Sequence, residues 1–477
     1  MPFPLRPSLA VACVLLSLPA TESAAQIPPE NASGDCAFSL DKTPALGVPS
    51  SLWGELEPTD IGQLPGSRDT TDFDQGEDFE PFPYWFSLDI EEGWLFALAN
   101  RRLQLWDART SPNKPILRAN VGATALIQQG MTWGPDPHAF YLFRDIDAPE
   151  GDSDHVALVG QNHIGLVVFD TTNKTQPRFK YQDRGNGRNA AEVYTNRIGD
   201  RAYAFAAAET GPGGVFAYDL TAAAALPTPC VDQQPGSTSP CPGVFLGPVG
   251  DRSNALAVDG VETFLAIASG HFPTGLEIWD VANPRNPEPL LAGLDSEDVY
   301  GVALWRQGPS YLLSVRTLEE ALVFDVTCIA TGPCSLPAPI WSQEMVRSPT
   351  GTVTDSLSDG TPFLYFGSRN DCQEGNQNEW LFEMNDPTSP RDVTPPGTVV
   401  INGEPISYWG WYYSANGIHG FNRVAPRMGK FAERYFYRAG HSVLDVHRWN
   451  APNAPIPFFA DGFESGDTSR WTSTTNQ

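Results

Sequence analysis

Cationic side chains are scarce in this chain. Its 477 residues hold 30 Lys and Arg against 57 Asp and Glu, a formal net charge of −27 at pH 7. A surface of that sign repels the phosphates of nucleic acid and of anionic lipid, so neither is an expected partner. Long apolar runs are also missing beyond residue 25, and no later stretch approaches the roughly 20 apolar residues that a spanning helix needs. Uninterrupted segments are rare: 43 Gly and 44 Pro fall too often for any long stretch to sustain a 3.6-residue period, which excludes a helical architecture. Catalytic signatures are absent as well, with no G-x-S-x-G elbow, no H-E-x-x-H, no phosphate loop and no dinucleotide fingerprint. A site assembled from distant strands would leave no motif, so catalysis is left open but a non-enzymatic role is the expectation.

The opening residues read as an export signal. Arg6 precedes an apolar run from Leu9 to Ala20, and Ser23 and Ala25 are the small residues before a cut at Gln26. Removal of residues 1–25 leaves Cys36, Cys230, Cys241, Cys328, Cys334 and Cys372, an even set in an exported chain, which points to disulfides. Cys230 with Cys241 and Cys328 with Cys334 close short loops, and Cys36 with Cys372 follows by elimination. Residues 26–79 form an acidic, Pro- and Gly-rich segment with too few periodic apolar positions for a core, expected as an arm wrapping the domain.

The segment from Thr263 to Leu291, TFLAIASGHFPTGLEIWDVANPRNPEPLL, sets the pattern for the rest. Two alternating β-rich runs flank a Gly/Pro reversal, and the second stops at Asp280, whose side chain can bond back to nearby amides. Pro284 and Pro287 then force the chain out of the sheet. Related hairpins end at Asp107, Asp170, Asp219, Asp325, Glu383 and Asp445, and each is preceded by one more short apolar stretch. Seven four-stranded units in series predict an all-β fold, a seven-bladed β-propeller of four-stranded antiparallel blades over residues 80–460, followed by a tail at 461–477.

The run LEIWDVANPRNP, Leu276 to Pro287, resembles the LVIVD repeat, with weaker versions around Asp107, Asp170, Asp325 and Asp445. The resemblance covers roughly residues 80–457. It implies a secreted or surface propeller and carries little function, since fold does not fix chemistry. The final ADGFESGDTSRW is similar to a short tail of secreted bacterial proteins, which implies a bacterial source and a role in export or surface attachment.

In a propeller the reversals between second and third strands open on the same face as the entries to the innermost strands. His163, His271 and His441 map to such reversals, His138 and His419 to entries, and Arg101, Arg316 and Arg369 to reversals of other blades, joined by Asn189 and Asn254. His138, His163, His271, Arg316, Arg369, His419 and His441 are the candidate ligand-binding residues. A metal shared by these histidines is not expected, because different blades hold them too far apart for bonds of ~2.1 Å. Tyr408, Trp409, Trp411, Tyr412 and Tyr413 either stack on a sugar or peptide or, the preferred reading, fill a seam between blades. Asp145, Asp147, Asp152 and Asp154 surround Gly151 and could offer calcium its hard oxygens, but without an EF-hand arrangement the solvated acidic turn is the first reading. No other cofactor is expected.

The expected function is therefore a secreted or cell-surface binding or scaffold protein, non-enzymatic, whose partner is an extracellular small molecule, a glycan or a protein. Its compartment would be extracellular or cell-surface, or the periplasm. The rival is a secreted propeller hydrolase or lyase using His271, His419 and a carboxylate, with or without calcium.

Overall fold

The computed structural model describes residues 56–58, 85–99, 102–132, 143–160, 164–184, 190–208, 214–232, 241–250, 255–270, 275–295, 298–317, 319–344, 349–356, 360–368, 380–393, 398–401, 404–407, 429–432, 435–439 and 444–449. A short strand β1 (Leu56–Pro58) comes first, and then the repeating sheets begin. The first is β2 (Trp85–Glu91), β3 (Trp94–Ala99), β4 (Arg102–Asp107) and β5 (Ile116–Val121), followed by a one-turn helix α1 (Ala123–Gln128). The second contains β6 (Phe143–Asp147), β7 (His155–Gly160), β8 (Gly165–Asp170) and β9 (Arg178–Asp183). The third opens with β10 (Ala190–Ile198), β11 (Arg201–Ala208) and β12 (Gly214–Asp219), runs out through helix α2 (Leu220–Ala224) and β13 (Cys230–Asp232), and closes with β14 (Phe245–Val249).

The fourth sheet is β15 (Ala255–Val261), β16 (Phe264–Ser269), β17 (Gly275–Asp280) and β18 (Glu288–Gly293). The fifth is β19 (Val299–Gln307), β20 (Ser310–Thr317), β21 (Glu320–Asp325) and β22 (Trp341–Glu344). The sixth is β23 (Pro349–Ser356), β24 (Pro362–Ser368), β25 (Trp380–Glu383) and β26 (Arg391–Asp392). A separate hairpin pairs β27 (Thr398–Ile401) with β28 (Glu404–Ser407), and the last sheet runs β29 (Gly429–Ala432), β30 (Tyr435–Ala439), β31 (Leu444–Trp449) and then β1.

The chain is thus an all-β propeller, with one correction to the expected count. Six of its sheets, not seven, are four-stranded antiparallel blades. The β6–β9 sheet takes β13 as a fifth strand, paired in parallel with β9. That strand belongs in sequence to the β12–β14 connection, so a long insertion crosses to the neighbouring sheet, which repeat spacing does not reveal. The strand β1 lies inside the segment expected as an arm, and it pairs antiparallel with β31, Leu56 opposite Trp449. The N-terminal region therefore supplies the outermost strand of the last sheet, joining the two ends of the chain's strand order and covering an edge that would otherwise offer unpaired backbone groups.

The innermost strands follow one another round a closed ring: β2 beside β6, then β10, β15, β19, β23 and β29, which returns to β2. Apolar seams between neighbouring sheets form the core. Phe96, Leu98, Leu103 and Leu105 meet Ile146, Val156, Leu158 and Phe169 in one seam, and Leu88, Leu95 and Trp106 meet Tyr437 and Val446 across the closure. Alternation in the strands makes this possible, since each sheet presents one face to each neighbour. The last pair of sheets meets through aromatic edges, with Phe363 and Trp449 ring centroids 4.8 Å apart and those of Tyr365 and Phe436 5.5 Å apart.

The recurrent acidic residue at the end of each third strand is explained by its hydrogen bonds. Asp170 accepts from the Thr172 amide at 3.1 Å, Asp280 from Ala282 at 2.8 Å and Asp325 from Thr327 at 3.0 Å, each closing an Asx turn that ends the strand. A second Asx turn follows where the repeat keeps Asn or Asp before the last proline: Asn173, Asn283 and Asp386 accept from Thr175, Arg285 and Thr388. Asp219 instead caps α2 through the Ala222 amide at 2.8 Å, and a 3-10 turn over Thr327–Thr331 follows Asp325. These helical turns stand where the Asp280 unit has its proline-bearing excursion, and neither Asp219 nor Asp325 is followed by such a proline pair. The pairs Cys230–Cys241 and Cys328–Cys334 are bonded, as their spacing predicts. Residues 1–25, the tail 461–477, Cys36 and Cys372 lie outside the described residues. No helix among the described residues is long and apolar enough to cross a membrane.

Candidate functional site

Six of the innermost strands, all but β29, share a local irregularity at their first residues. The register slips between Trp85 and Ser87, Phe143 and Asp145, Ala190 and Glu192, Ala255 and Ala257, Val299 and Gly301, and Pro349 and Thr352. A bulge adds a residue to one strand only and re-aims the side chains beside it. Leu256 and Tyr300, the extra residues of adjacent sheets, accordingly pack on one another apart from the seam cores. The end of the ring where these bulges lie, here called the upper end, is also where β3, β7, β11, β16, β20 and β24 finish.

Buried polar groups concentrate there. Ser87, Gln104, Arg144, Asp145, Glu192, Ser269, Arg316 and Thr352 are all at most 3% exposed, and Arg102 is 8% exposed. Part of this belt is a set of staples between sheets. Asp145 accepts from the Ser87 hydroxyl at 2.6 Å on one side and from the Val193 amide at 2.8 Å on the other, so its carboxylate joins three consecutive sheets. One layer lower, Asp89 accepts from the Ala148 amide, Asp147 from the Thr195 amide and hydroxyl, and Asp259 from the Leu304 amide. At the equivalent position of the third sheet stands Tyr194, whose ring lies over Gly260 of the next; a Cβ on that glycine would come within 2.8 Å of it.

These bonds locate the acidic segment that could have held calcium. Asp145 and Asp147 are strand residues engaged across the seams. Asp152 bonds His155 Nδ1 at 2.9 Å and Arg197 at 3.3 Å, and Asp154 accepts from Lys174 Nζ at 2.7 Å. Burial pushes the Asp152 carboxyl up, but His155 and Arg197 outweigh it and its net shift is downward. The loop itself is pinned by Glu91 and Glu92, which accept from Gly151 and Ser153. The four carboxylates thus face separate protein donors rather than one another, and no group of three metal-ligating side chains occurs among the described residues.

Of the candidate ligand residues, only Arg316 is described. His138, His163, His271, Arg369, His419 and His441 lie outside the described residues, as do Arg101, Asn189, Asn254 and the aromatic run at 408–413. Arg316 is not in a reversal, as its sequence position suggested. It lies within β20, paired with Gly301 and Ala321, and is fully buried. Burial lowers its pKa to about 10. The hairpin is tighter than the sequence implies, so β20 extends to Thr317 and carries the arginine into the seam. Sequence reasoning missed Arg144, Asp145 as a staple, Glu192, Ser314 and Thr352. Their signal was a polar residue interrupting an apolar innermost or second strand, as in FRDID, AAEVY and LLSVRT.

No family model matches the chain, and no curated protein matches it. Among solved structures, the computationally designed Ika8 protein is similar over 79% of this chain and 98% of its own, with 9% identity and a TM-score of 0.40. Raptor from Chaetomium thermophilum is similar over 87% of this chain, which spans only 31% of that chain, with 7% identity and a TM-score of 0.48. The fold assignment rests on the sheet order described above.

Proposed function

We propose that this protein is an exported binding or scaffold β-propeller, non-enzymatic, that receives an extracellular small molecule, glycan or protein at the upper end of its ring. The observation that carries this reading is the belt of buried polar and charged side chains at that end, including Arg144, Glu192 and Arg316, set among bulges that re-aim the strands. A closed ring of sheets makes a rigid support for such a site, and rigid supports favour recognition by presenting groups in a fixed geometry. Two disulfides support an oxidising compartment, in keeping with the signal at residues 1–25 and the bacterial type of tail at 461–477. The LVIVD-like repeat around Asp280 supports the same class.

The reading is tested by presenting the purified mature protein to arrays of extracellular metabolites, glycans and peptides. Saturable capture that weakens on combined His271→Ala and His419→Ala substitution is the expected result. Silence on all three arrays would sink the binding reading. Turnover of an ester, lactone, glycoside or phosphate substrate, lost in His419→Ala, would replace it with the hydrolase.

A further inference from the structure

Two of the connections between third and fourth strands are much longer than the rest. Those at 108–115, 171–177, 281–287 and 384–390 turn back at once, whereas the third sheet leaves through 220–244 and the fifth through 326–340. Both long connections begin with a helical turn whose apolar side packs into the seam with the preceding sheet. Leu220 and Ala223 of α2 join Val168 and Tyr181 there, and Ile329 of the 3-10 turn joins Leu290 and Leu291. Each connection then reaches the outer strand of that preceding sheet and bonds to its backbone. Both disulfides among the described residues lie in these two connections.

At the third sheet the contact is β13. Cys230, Val231 and Asp232 stand beside Tyr181, Gln182 and Asp183 of β9 in parallel register. The Arg184 amide donates to the Asp232 carbonyl at 2.8 Å, the Tyr181 hydroxyl to the Asp232 carboxylate at 2.9 Å, and Lys180 Nζ to the Leu226 carbonyl at 3.1 Å. At the fifth sheet the Cys334 amide donates to the Leu290 carbonyl of β18 at 2.8 Å. Leu336 lies over Gly293, where a Cβ would come within 2.8 Å of it, so the glycine leaves room for the segment to lie close. In both places one cysteine of the pair stands at the edge itself: Cys230 begins β13, and Cys334 carries the donating amide. Its partner belongs to an anchored part of the connection, Cys241 fully buried in the seam and Cys328 within the 3-10 turn.

We propose that the two disulfides are clasps that thiols can open, each fastening the connection of one sheet over the outer edge of the sheet before it. A three-residue strand and a single amide bond gain little against the freedom of a long connection, and a cross-link beside the contact removes that freedom. Opening needs a dithiol reductant. Its thiolate attacks a sulfur within reach, and Cys230, Cys328 and Cys334 are each half-buried rather than sealed. The S–S bond breaks and the second cysteine leaves as a thiolate, which takes up a proton. The reductant's other thiol then attacks its own sulfur in the mixed disulfide and releases the first cysteine, so two cysteine thiols form and the reductant becomes a disulfide. The innermost and second strands carry neither pair, so opening uncovers the edges of β9 and β18 and leaves the ring closed. The cover over two sheet edges is thereby tied to an oxidising compartment, whatever the upper end binds.

Hydrogen exchange of the mature protein, followed before and after treatment with dithiothreitol, tests the proposal. The informative positions are the Arg184 and Cys334 amides, which donate across the two contacts. Reduction should speed exchange at least about tenfold at both, with β11, β16 and β20 unchanged. Cys230→Ser with Cys241→Ser should reproduce the change at Arg184 alone, and Cys328→Ser with Cys334→Ser the change at residue 334 alone. If a serine pair does not fold, the folded parent, reduced and then alkylated with iodoacetamide, gives the comparison at both amides. Exchange at Arg184 and Cys334 unmoved by reduction would overturn the proposal. So would faster exchange throughout β11, β16 and β20, which would make the disulfides supports of the whole ring, or a serine pair that loosens the other clasp.

Discussion

The carboxylate of Asp145 offers the sharpest test of how the ring is held together. Its Oδ1 accepts the Ser87 hydroxyl at 2.6 Å and its Oδ2 the Val193 amide at 2.8 Å, with all of its side chain out of water. Truncation by Asp145→Ala removes two charge-assisted bonds and leaves a buried amide and a buried hydroxyl without an acceptor. At roughly 1.5–3 kcal/mol for each such bond, the loss should be about 3–5 kcal/mol once the serine rotates to relieve part of it. Asp145→Asn should cost far less. Its oxygen can accept from Val193, its amide can donate to Ser87 Oγ, and only the charge is lost. Urea unfolding followed by tryptophan fluorescence reads both variants. In the double variant with Ser87→Ala, the two losses should sum to more than the combined loss, because one bond is shared. An alanine variant within about 1 kcal/mol of the parent, or an asparagine variant as damaged as the alanine one, would refute the staple as described.

Further perturbations address other parts of the molecule. The Arg109 guanidinium, aided by Arg118, holds the Asp107 carboxyl down at about 2 despite the opposing effect of burial. Because the folded-state pKa is depressed, this contribution is present above the ordinary carboxylate value near 3.8 and is lost as pH falls towards 2. Acid titration of stability should therefore be shallower between those values in Asp107→Asn, and an unchanged acid limb would count against the pairing. Gly260→Ala would set a Cβ 2.5 Å from the Phe264 carbonyl oxygen and 2.8 Å from the Tyr194 ring. It should lower stability by about 1–3 kcal/mol, and Tyr194→Ala in the same chain should fail to restore it, since the backbone oxygen remains. Replacing Cys230 and Cys241 by serine opens a loop with a sequence separation of 11 and should cost about 3 kcal/mol, with faster amide exchange at residues 230–232; exchange unaltered there would show that β13 needs no covalent anchor. Limited proteolysis should trim the chain on the N-terminal side of residue 56 without loss of the folded core, whereas deletion through residue 60 should destabilise the sheet of β29–β31 by removing β1. Equal thermal stability of the two truncations would contradict the closure by β1.

Much of the architecture was legible because it rests on local chemistry. An aspartate that ends a strand through an Asx turn needs only its own amides two residues on, so Asp170, Asp280 and Asp325 announce their hairpins in the sequence itself. Alternation shows the strands, and short spacing shows the pairs Cys230–Cys241 and Cys328–Cys334. Of the candidate binding residues, Arg316 lies inside strand β20 rather than in the reversal that its sequence position suggests. Whether a residue closes a hairpin or sits one position inside the strand depends on turn geometry, which spacing alone leaves open by a residue or two.

The repeating unit is written in local sequence: period-two strands, their acidic stops, and the proline-bearing excursions that follow. Each of these is enforced within a few residues of chain. Tertiary structure alone decided how the units join. The parallel docking of β13 on β9, the pairing of β1 with β31 and the triple reach of Asp145 connect residues from tens to hundreds of positions apart, and no local propensity encodes such contacts.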